Sequence, residues 1–350
     1  MAVPRPDPAP IAAPPATAAG KTATTAKQAI EKLENLRGTR LICYATGDRK
    51  DQETQIGEDV LPWFSQHMSR IGPVERLDLL LYSRGGNTLT GFALCNSLRH
   101  FCKRLSVLIP FRAHSCATLI AVSANEIVMG PFGQLSPIDP SITTPHGPTI
   151  ERDGKVAFLP VSVEDVANYI QLARKEVGLQ TEDHMASVLA HLTQRVSPLA
   201  LGAVYRAREQ IGMLATKLLK LHLNENDRID RIVRQLTREL LSHDYVIHRG
   251  EAKEIGLPVA DANGEIAETM WAIYESFAGE MRLSEPWNPE KELRGNQSAK
   301  RTNVRAVLES RDLKHVYEST YELKRITVVQ QGTKIDAINA IALDDGWRPA

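Results

Sequence analysis

Between residues 41 and 130 the chain alternates short apolar runs with amphipathic helical ones, and this alternation restricts the fold more than any other feature. "LICYAT" (41–46) reads as a buried strand. "GEDVLPWFSQHMSRIG" follows as a helix, with apolar Val60, Leu61, Phe64 and Met68 at helical spacing. Next come "LDLLLYS" (77–83), helical "TLTGFALCNSLRHFCKRL" (88–105), "SVLIPF" (106–111), helical "SCATLIAVSA" (115–124) and "EIVMG" (126–130). Parallel strands joined by helical, right-handed crossovers satisfy this pattern, so the expected class is α/β.

Around that segment the organisation changes. Residues 1–27, rich in proline, alanine and threonine, bury too little apolar surface to offset ordering entropy and are expected to form a disordered arm. A folded domain is expected over 28–280. Past Pro131 it enters a proline-rich loop, then helices: one opened by Ser162 with Asp165 at capping-box spacing, others over 197–223 and 227–243. Gly256 is a candidate αL cap for the helix in "GEAKEIGLPV", and "AETMWAIYESFAGEM" is a further amphipathic helix. Residues 281–303 are polar and breaker-rich, which suggests a linker or surface loop, and 304–350 suggest a small β appendage containing a hairpin.

Charge and cysteine usage narrow the function. Lys plus Arg equals Asp plus Glu at 42 each, so no polyanion attraction favours nucleic acid or an anionic membrane. Cys43, Cys95, Cys102 and Cys116 form no C-x-x-C pair and lie in apolar segments, pointing to buried thiols in a reducing compartment rather than zinc ligands. The N-terminus lacks a signal-peptide core and no window reaches the roughly 18 apolar residues of a membrane span, so a cytoplasmic location is expected. No P-loop is present to drive unfolding of substrates.

Two loops stand past the carboxyl ends of expected strands, where open α/β sheets place ligands. In "YSRGGNT", Gly85 and Gly86 can turn bare amides outward, although a tight strand-to-helix turn would use them too. Ser115 opens the helix in "HSCAT", where unpartnered N–H groups favour negative charge. It is equally the residue type of an ordinary N-cap. With Ala113 and Ala117 on either side, it is not a G-x-S-x-G elbow.

"LLLYSRGGNTLTG", "AHSCATLIAVSANEIVMGPFGQLSPIDPSI" and "LLSHDYVIHRGEAKEIGLPV" together resemble the serine dehydrogenase proteinase family, whose members look distantly related to Clp-type serine proteases and signal peptide peptidase A. The resemblance covers approximately residues 40 to 260. It implies a Clp/crotonase-like ββα spiral with a helical C-terminal half, homo-oligomerisation, and serine-nucleophile hydrolysis of short or unfolded peptides without metal or organic cofactor. It puts the nucleophile on Ser115 and the oxyanion amides on Gly85 or Gly86 and on Cys116. The family's order of serine, aspartate and histidine places the remaining roles on Asp139 in "SPIDP" and on His243. The bland alternatives are a turn aspartate at Asp139 and a helix-end histidine at His243. His248, His146, His114 or a lysine compete for the base. Two departures stand out: "SRGG" carries Arg84 where relatives have proline, and Ser115 is followed by Cys116-Ala117 rather than glycines. Two further readings of the same fold are an inactive oligomeric scaffold binding a protein partner, and acyl-CoA chemistry through the same oxyanion hole.

Overall fold

The strands of the first hundred residues form because their apolar runs can be buried on both faces at once. In β1 (Arg40–Thr46), Ile42 and Tyr44 face one layer, while Leu41, Cys43 and Ala45 face the other. Period-two alternation therefore reads as a continuous apolar run, as expected of a covered parallel strand.

The computed structural model describes residues 25–350 apart from 139–140, 143, 153–154, 160, 241, 243 and 331–332. The first half contains α1 (Ala26–Arg37), β1, α2 (Leu61–Ile71), β2 (Val74–Tyr82), α3 (Thr88–Phe101), β3 (Cys102–Ile109), β4 (Arg112–Ala113), α4 (Cys116–Ala121), β5 (Glu126–Met129) and β6 (Gln134–Leu135). A peripheral region follows with β7 (Ser141–Ile142), β8 (Thr149–Arg152), β9 (Lys155–Phe158), β10 (Val161–Ser162), α5 (Val163–Gln171) and α6 (Glu182–Thr193). The chain then returns through α7 (Pro198–Leu219), α8 (Asn226–Arg234), β11 (Ile247–His248), α9 (Arg249–Ile255), β12 (Val259–Asp261) and α10 (Gly264–Glu280). It ends with α11 (Pro289–Leu293), β13 (Ser298–Ser310), β14 (Leu313–Gln330) and β15 (Thr333–Pro349).

The main sheet has the order β12-β5-β3-β2-β1-β13-β14-β15. Its first five strands are parallel and its last three pair antiparallel. Because β1, β2, β3 and β5 are added in one direction, right-handed crossovers put α2, α3 and α4 on one face. There Phe64, Leu94, Leu119 and Ile120 pack with Leu214 and Leu218 of α7. The other face is closed by Ile30 and Leu33 of α1 and by Met270, Ile273 and Phe277 of α10. A second sheet, β11-β6-β4, lies at the end of β2, whose successor Ser83 bridges to Ala113.

The α/β class expected from the sequence is present. Gly256 ends α9 at φ 108° as anticipated, and Ser162 caps α5 by accepting the Asp165 N–H. Four expectations need correction. Residues 25–27 belong to the folded part and not to the arm, since the Thr25 hydroxyl and Gln28 form a reciprocal capping box for α1. Residues 102–105 belong to β3 and not to the preceding helix, because they pair with β2 from Val74↔Cys102 to Leu77↔Leu105 and the ladder outweighs local helix propensity. Residues 304–350 are no appendage: β13 pairs with β1 from Ile42↔Ser310 to Thr46↔Ala306, so they continue the main sheet. Nor is 281–303 a free linker. The buried Arg49 guanidinium donates to the Glu285 carbonyl at 2.7 Å, and the Trp287 N–H donates to the Lys50 carbonyl at 3.1 Å.

A buried ionic cluster links α1 to β2 and β5. Asp78, 1% exposed, receives Arg37 and the Thr39 hydroxyl, and Arg37 also meets Glu126 at 2.9 Å. Asp78→Ala leaves the Arg37 charge short of a partner and is expected to cost about 3 kcal/mol, measured by urea unfolding. A second buried set is neutral: His67 Nδ1 lies 2.7 Å from Ser310 Oγ, and Nε2 lies 3.0 Å from His315 Nδ1. Burial, reinforced by His315, pushes His67 down to about 4. A base whose folded pKa is depressed gives its full stability above about pH 6.5 and loses it as pH falls toward 4. The urea midpoint is therefore expected to drop between pH 7 and pH 5, and less so in His67→Gln.

Candidate functional site

β2 and β3 run parallel, so their carboxyl ends deliver two loops to the same edge of the sheet. One loop carries Gly85 and Gly86, and the other carries Ser115. His114 N–H donates to the Ser83 carbonyl at 3.0 Å, which ties the loops together one residue before the serine.

Ser115 holds φ 51°, ψ −115°, a region that L-residues occupy only under strain of about 1–3 kcal/mol. The surroundings fix it there. Its N–H donates to Ser136 Oγ at 2.8 Å and its carbonyl accepts from Leu119 N–H at 3.0 Å. Thr118 Oγ1 donates to the Ala113 carbonyl at 2.8 Å and accepts from the Ser136 N–H at 3.1 Å. Among the described residues the Ser115 side chain caps nothing and its hydroxyl has no hydrogen-bond partner. The ordinary N-cap reading is thereby set aside, because a capping serine has extended backbone angles and accepts an N–H from the first turn. This strained turn from β4 into α4 is what a nucleophile elbow requires, achieved without its flanking glycines.

Room for the turn comes from Gly85, at φ 117°. A Cβ there would lie 2.8 Å from Ser115 Cβ and 3.2 Å from Cys116 N. Gly86, at φ 149°, is clamped from outside, since a Cβ would lie 2.4 Å from both N and O of Ile56. Ile56 bridges this loop, donating to the Gly85 carbonyl and accepting from the Asn87 N–H, both at 2.9 Å. Gly85 N–H is occupied, donating to Ser83 Oγ at 2.9 Å. Gly86 N–H and Cys116 N–H, by contrast, have no acceptor among the described residues.

The Cys116 thiol turns away from this surface. It is fully buried, lies 3.1 Å from the Asn87 carbonyl and packs against Gly91, and burial pushes it up to about 12. A thiol held protonated at neutral pH is a poor nucleophile. Cys116 thus presents its amide, and its bulk is taken up inside the α3–α4 packing. Arg84, on the other side of the glycine turn, meets Asp48 at 3.3 Å. Asp48 also receives the Arg112 guanidinium at 2.8 Å and the Tyr82 hydroxyl at 2.7 Å.

The remaining site candidates are distributed unevenly. Asp139 and His243 lie outside the described residues. His146 and His248 are exposed, and His114 is half-buried directly before the serine. The segments that lead into 139 and 243 are held together: Ile138 N–H donates to the Leu236 carbonyl at 2.8 Å, and β6 pairs with β11 through Leu135↔Ile247. Leu236 lies in a π-helical turn, Gln235–Glu239, which interrupts the helix expected through residue 243. Sequence reading missed Ser136, Thr118 and Ile56. Each acts across long sequence separation, and no local motif marks them.

Gly85→Ala is expected to lower stability by more than about 1 kcal/mol, since it meets both a positive φ and the Ser115 Cβ. Denaturant titration would check this, an unchanged midpoint showing that the elbow can retreat.

The family model described as "ClpP-like SDH-type serine proteinase" matches residues 13–154, a span that includes both glycines, Ser115 and Asp139. "Uncharacterized protein MJ0137" of Methanocaldococcus jannaschii is 24% identical over 214 residues, 61% of this chain and 63% of that protein's length. "Uncharacterized protein MJ1495" of the same organism is 29% identical over 256 residues, 71% of this chain and 75% of that protein's length. Residues 13–154, which include the Ser115 loop and the glycine turn, are thus similar to the ClpP-like SDH-type serine proteinase family.

Proposed function

We propose that the protein is a serine peptidase in which Ser115 attacks the scissile carbonyl. The observation that carries this reading is the strained, open serine near two amides, those of Gly86 and Cys116, that have no acceptor among the described residues. Amides fixed in this way stabilise the oxyanion of a tetrahedral intermediate without reorganising, at a few kcal/mol per donor. Of the two glycines anticipated for this role, Gly86 is favoured, because the Gly85 N–H already serves Ser83.

A serine hydroxyl needs a base. His243 is proposed to take its proton and Asp139 to hold the imidazole tautomer. The joining of their flanking segments by Ile138 and Leu236 supports this pairing, as does the matched family's serine proteinase chemistry. Proton transfer from Ser115 to His243, attack on the carbonyl, and return of the proton to the leaving amine complete acylation. Water then repeats the sequence to release the acid. Short or already unfolded peptides are the proposed substrates, since an extended backbone can reach a serine at the edge of a sheet. A homo-oligomer working in a reducing compartment, the cytoplasm, is proposed alongside; four free, buried cysteines suit it. Among the described residues no helix is long and apolar enough to cross a membrane.

The test is fluorophosphonate labelling mapped by mass spectrometry. Labelling at Ser115, lost in Ser115→Ala and reduced about 10³-fold or more in His243→Ala, is the expected result. Labelling that persists without His243 would move the base elsewhere, and a folded protein that never labels would favour the scaffold reading. Ser115→Gly is expected to abolish hydrolysis while raising stability by about 1 kcal/mol, because glycine relieves the backbone strain. Thermal unfolding measures it, and a lower midpoint would sink the strain argument.

A further inference from the structure

A third loop meets the two that form the elbow. Between β1 and α2 the chain carries Asp48, whose side chain is only 10% exposed and holds three groups at once. Its Oδ1 accepts from the Tyr82 hydroxyl at 2.7 Å, and its Oδ2 receives Arg112 at 2.8 Å and Arg84 at 3.3 Å. Tyr82 ends β2 and Arg84 directly precedes Gly85, while Arg112 lies in β4, three residues before Ser115. One carboxylate thus grips the stem of the glycine turn and the stem of the serine loop. The grip is fixed from behind. Gly47 N–H donates to the Arg305 carbonyl at 2.7 Å, the Gly47 carbonyl accepts from Thr54 N–H at 2.9 Å, and the Arg49 side chain is buried with its guanidinium on the Glu285 carbonyl. It is fixed in front as well, since Arg112 sits over the Phe111 ring at 4.4 Å and Tyr82 packs against Phe111 and Tyr274. Side chains ordered in this way lose little further freedom on pairing, unlike those of an exposed ion pair.

Two backbone bonds join the loops to each other: Ser83 N–H to the Arg112 carbonyl and His114 N–H to the Ser83 carbonyl, both at 3.0 Å. Neither ties the joined pair to the loop after β1. Ile56 and Asp48, near opposite ends of that loop, do so. Ile56 holds Gly85 and Asn87 through its backbone, and Asp48 holds Tyr82, Arg84 and Arg112 through its side chain. We propose that Asp48 is a positioning residue that sets where the glycine turn stands relative to Ser115, an inference that rests on the peptidase reading. Asp48 acts through Tyr82, Arg84 and Arg112 and not on the reacting atoms. Its loss therefore slows attack by Ser115 without weakening the binding of what is attacked, because a small misplacement of fixed groups costs rate.

Fluorophosphonate labelling of Ser115 in the full chain, followed over a range of probe concentrations, tests it. Asp48→Ala is expected to lower the limiting rate, kinact, about tenfold or more with KI unchanged. Asp48→Asn is expected to recover part of that loss, since its oxygen can accept from both guanidinium groups while its amide donates to the Tyr82 oxygen. Glu275→Gln removes another acidic group from the cavity that Asp48, Arg84, Arg112 and Tyr274 line, and is expected to label as the native chain does. Should Asp48→Ala not fold, Arg112→Ala, which frees the serine loop alone, is expected to show the same fall in kinact. Native kinact in a folded Asp48→Ala or Arg112→Ala protein would overturn the inference, as would a loss confined to KI. An equal fall in Glu275→Gln would assign the effect to the charge of the cavity and overturn it too. A native chain that never labels at Ser115 would instead remove the peptidase reading itself, and this inference with it.

Discussion

The approach of Gly85 to Ser115 is the contact on which the site depends. No side chain fits between the two loops, and a single Cβ would stand 2.8 Å from the serine's own. Only with hydrogen at that position can the glycine turn lie this close to Ser115 and the Cys116 amide. Ile56 presses the glycine turn from outside, and the hydrogen bond from His114 to Ser83 holds the serine loop from within.

Strain at the elbow is held because its neighbours are overdetermined. Ser136 and Thr118 form a short polar chain from the Ser115 amide to the Ala113 carbonyl, so relaxing the serine would strand several buried groups together. The cost is local, while the support comes from the sheet. β2 and β3 are fixed in register by the buried layers on either face, and that register determines where their following loops meet.

The antiparallel half has a different physical basis. β13 joins β1 at its Cα partners Ile42 to Thr46, with Ala306, Val307 and Leu308 fully or nearly fully buried, so it is as much core as the parallel strands. Beyond it, β14 and β15 lose their cover progressively. Trp287 and Leu293 shield one face of the hairpin, and Arg49 anchors that segment to the domain by hydrogen bonding to Glu285 while stacking on Trp287 at 5.4 Å.

The sequence by itself determined the α/β class, most elements through residue 130, the cap at Gly256, the C-terminal hairpin and the two loops that carry Ser115 and the Gly85–Gly86 turn. These are local: periodicity, turn chemistry and short motifs are written within a few residues of where they act. Only the tertiary structure decided that residues 102–105 are strand, that β13 extends the sheet, that Gly86 rather than Gly85 keeps an amide without an acceptor among the described residues, and that Cys116 turns its thiol inward. Three of those depend on a partner far along the chain, namely β2 for 102–105, β1 for β13 and α3 for Cys116, whereas the Gly85 amide is taken by Ser83 two residues away. Composition and spacing record what a residue can do, but hydrogen-bond satisfaction and available volume are settled only when distant segments meet.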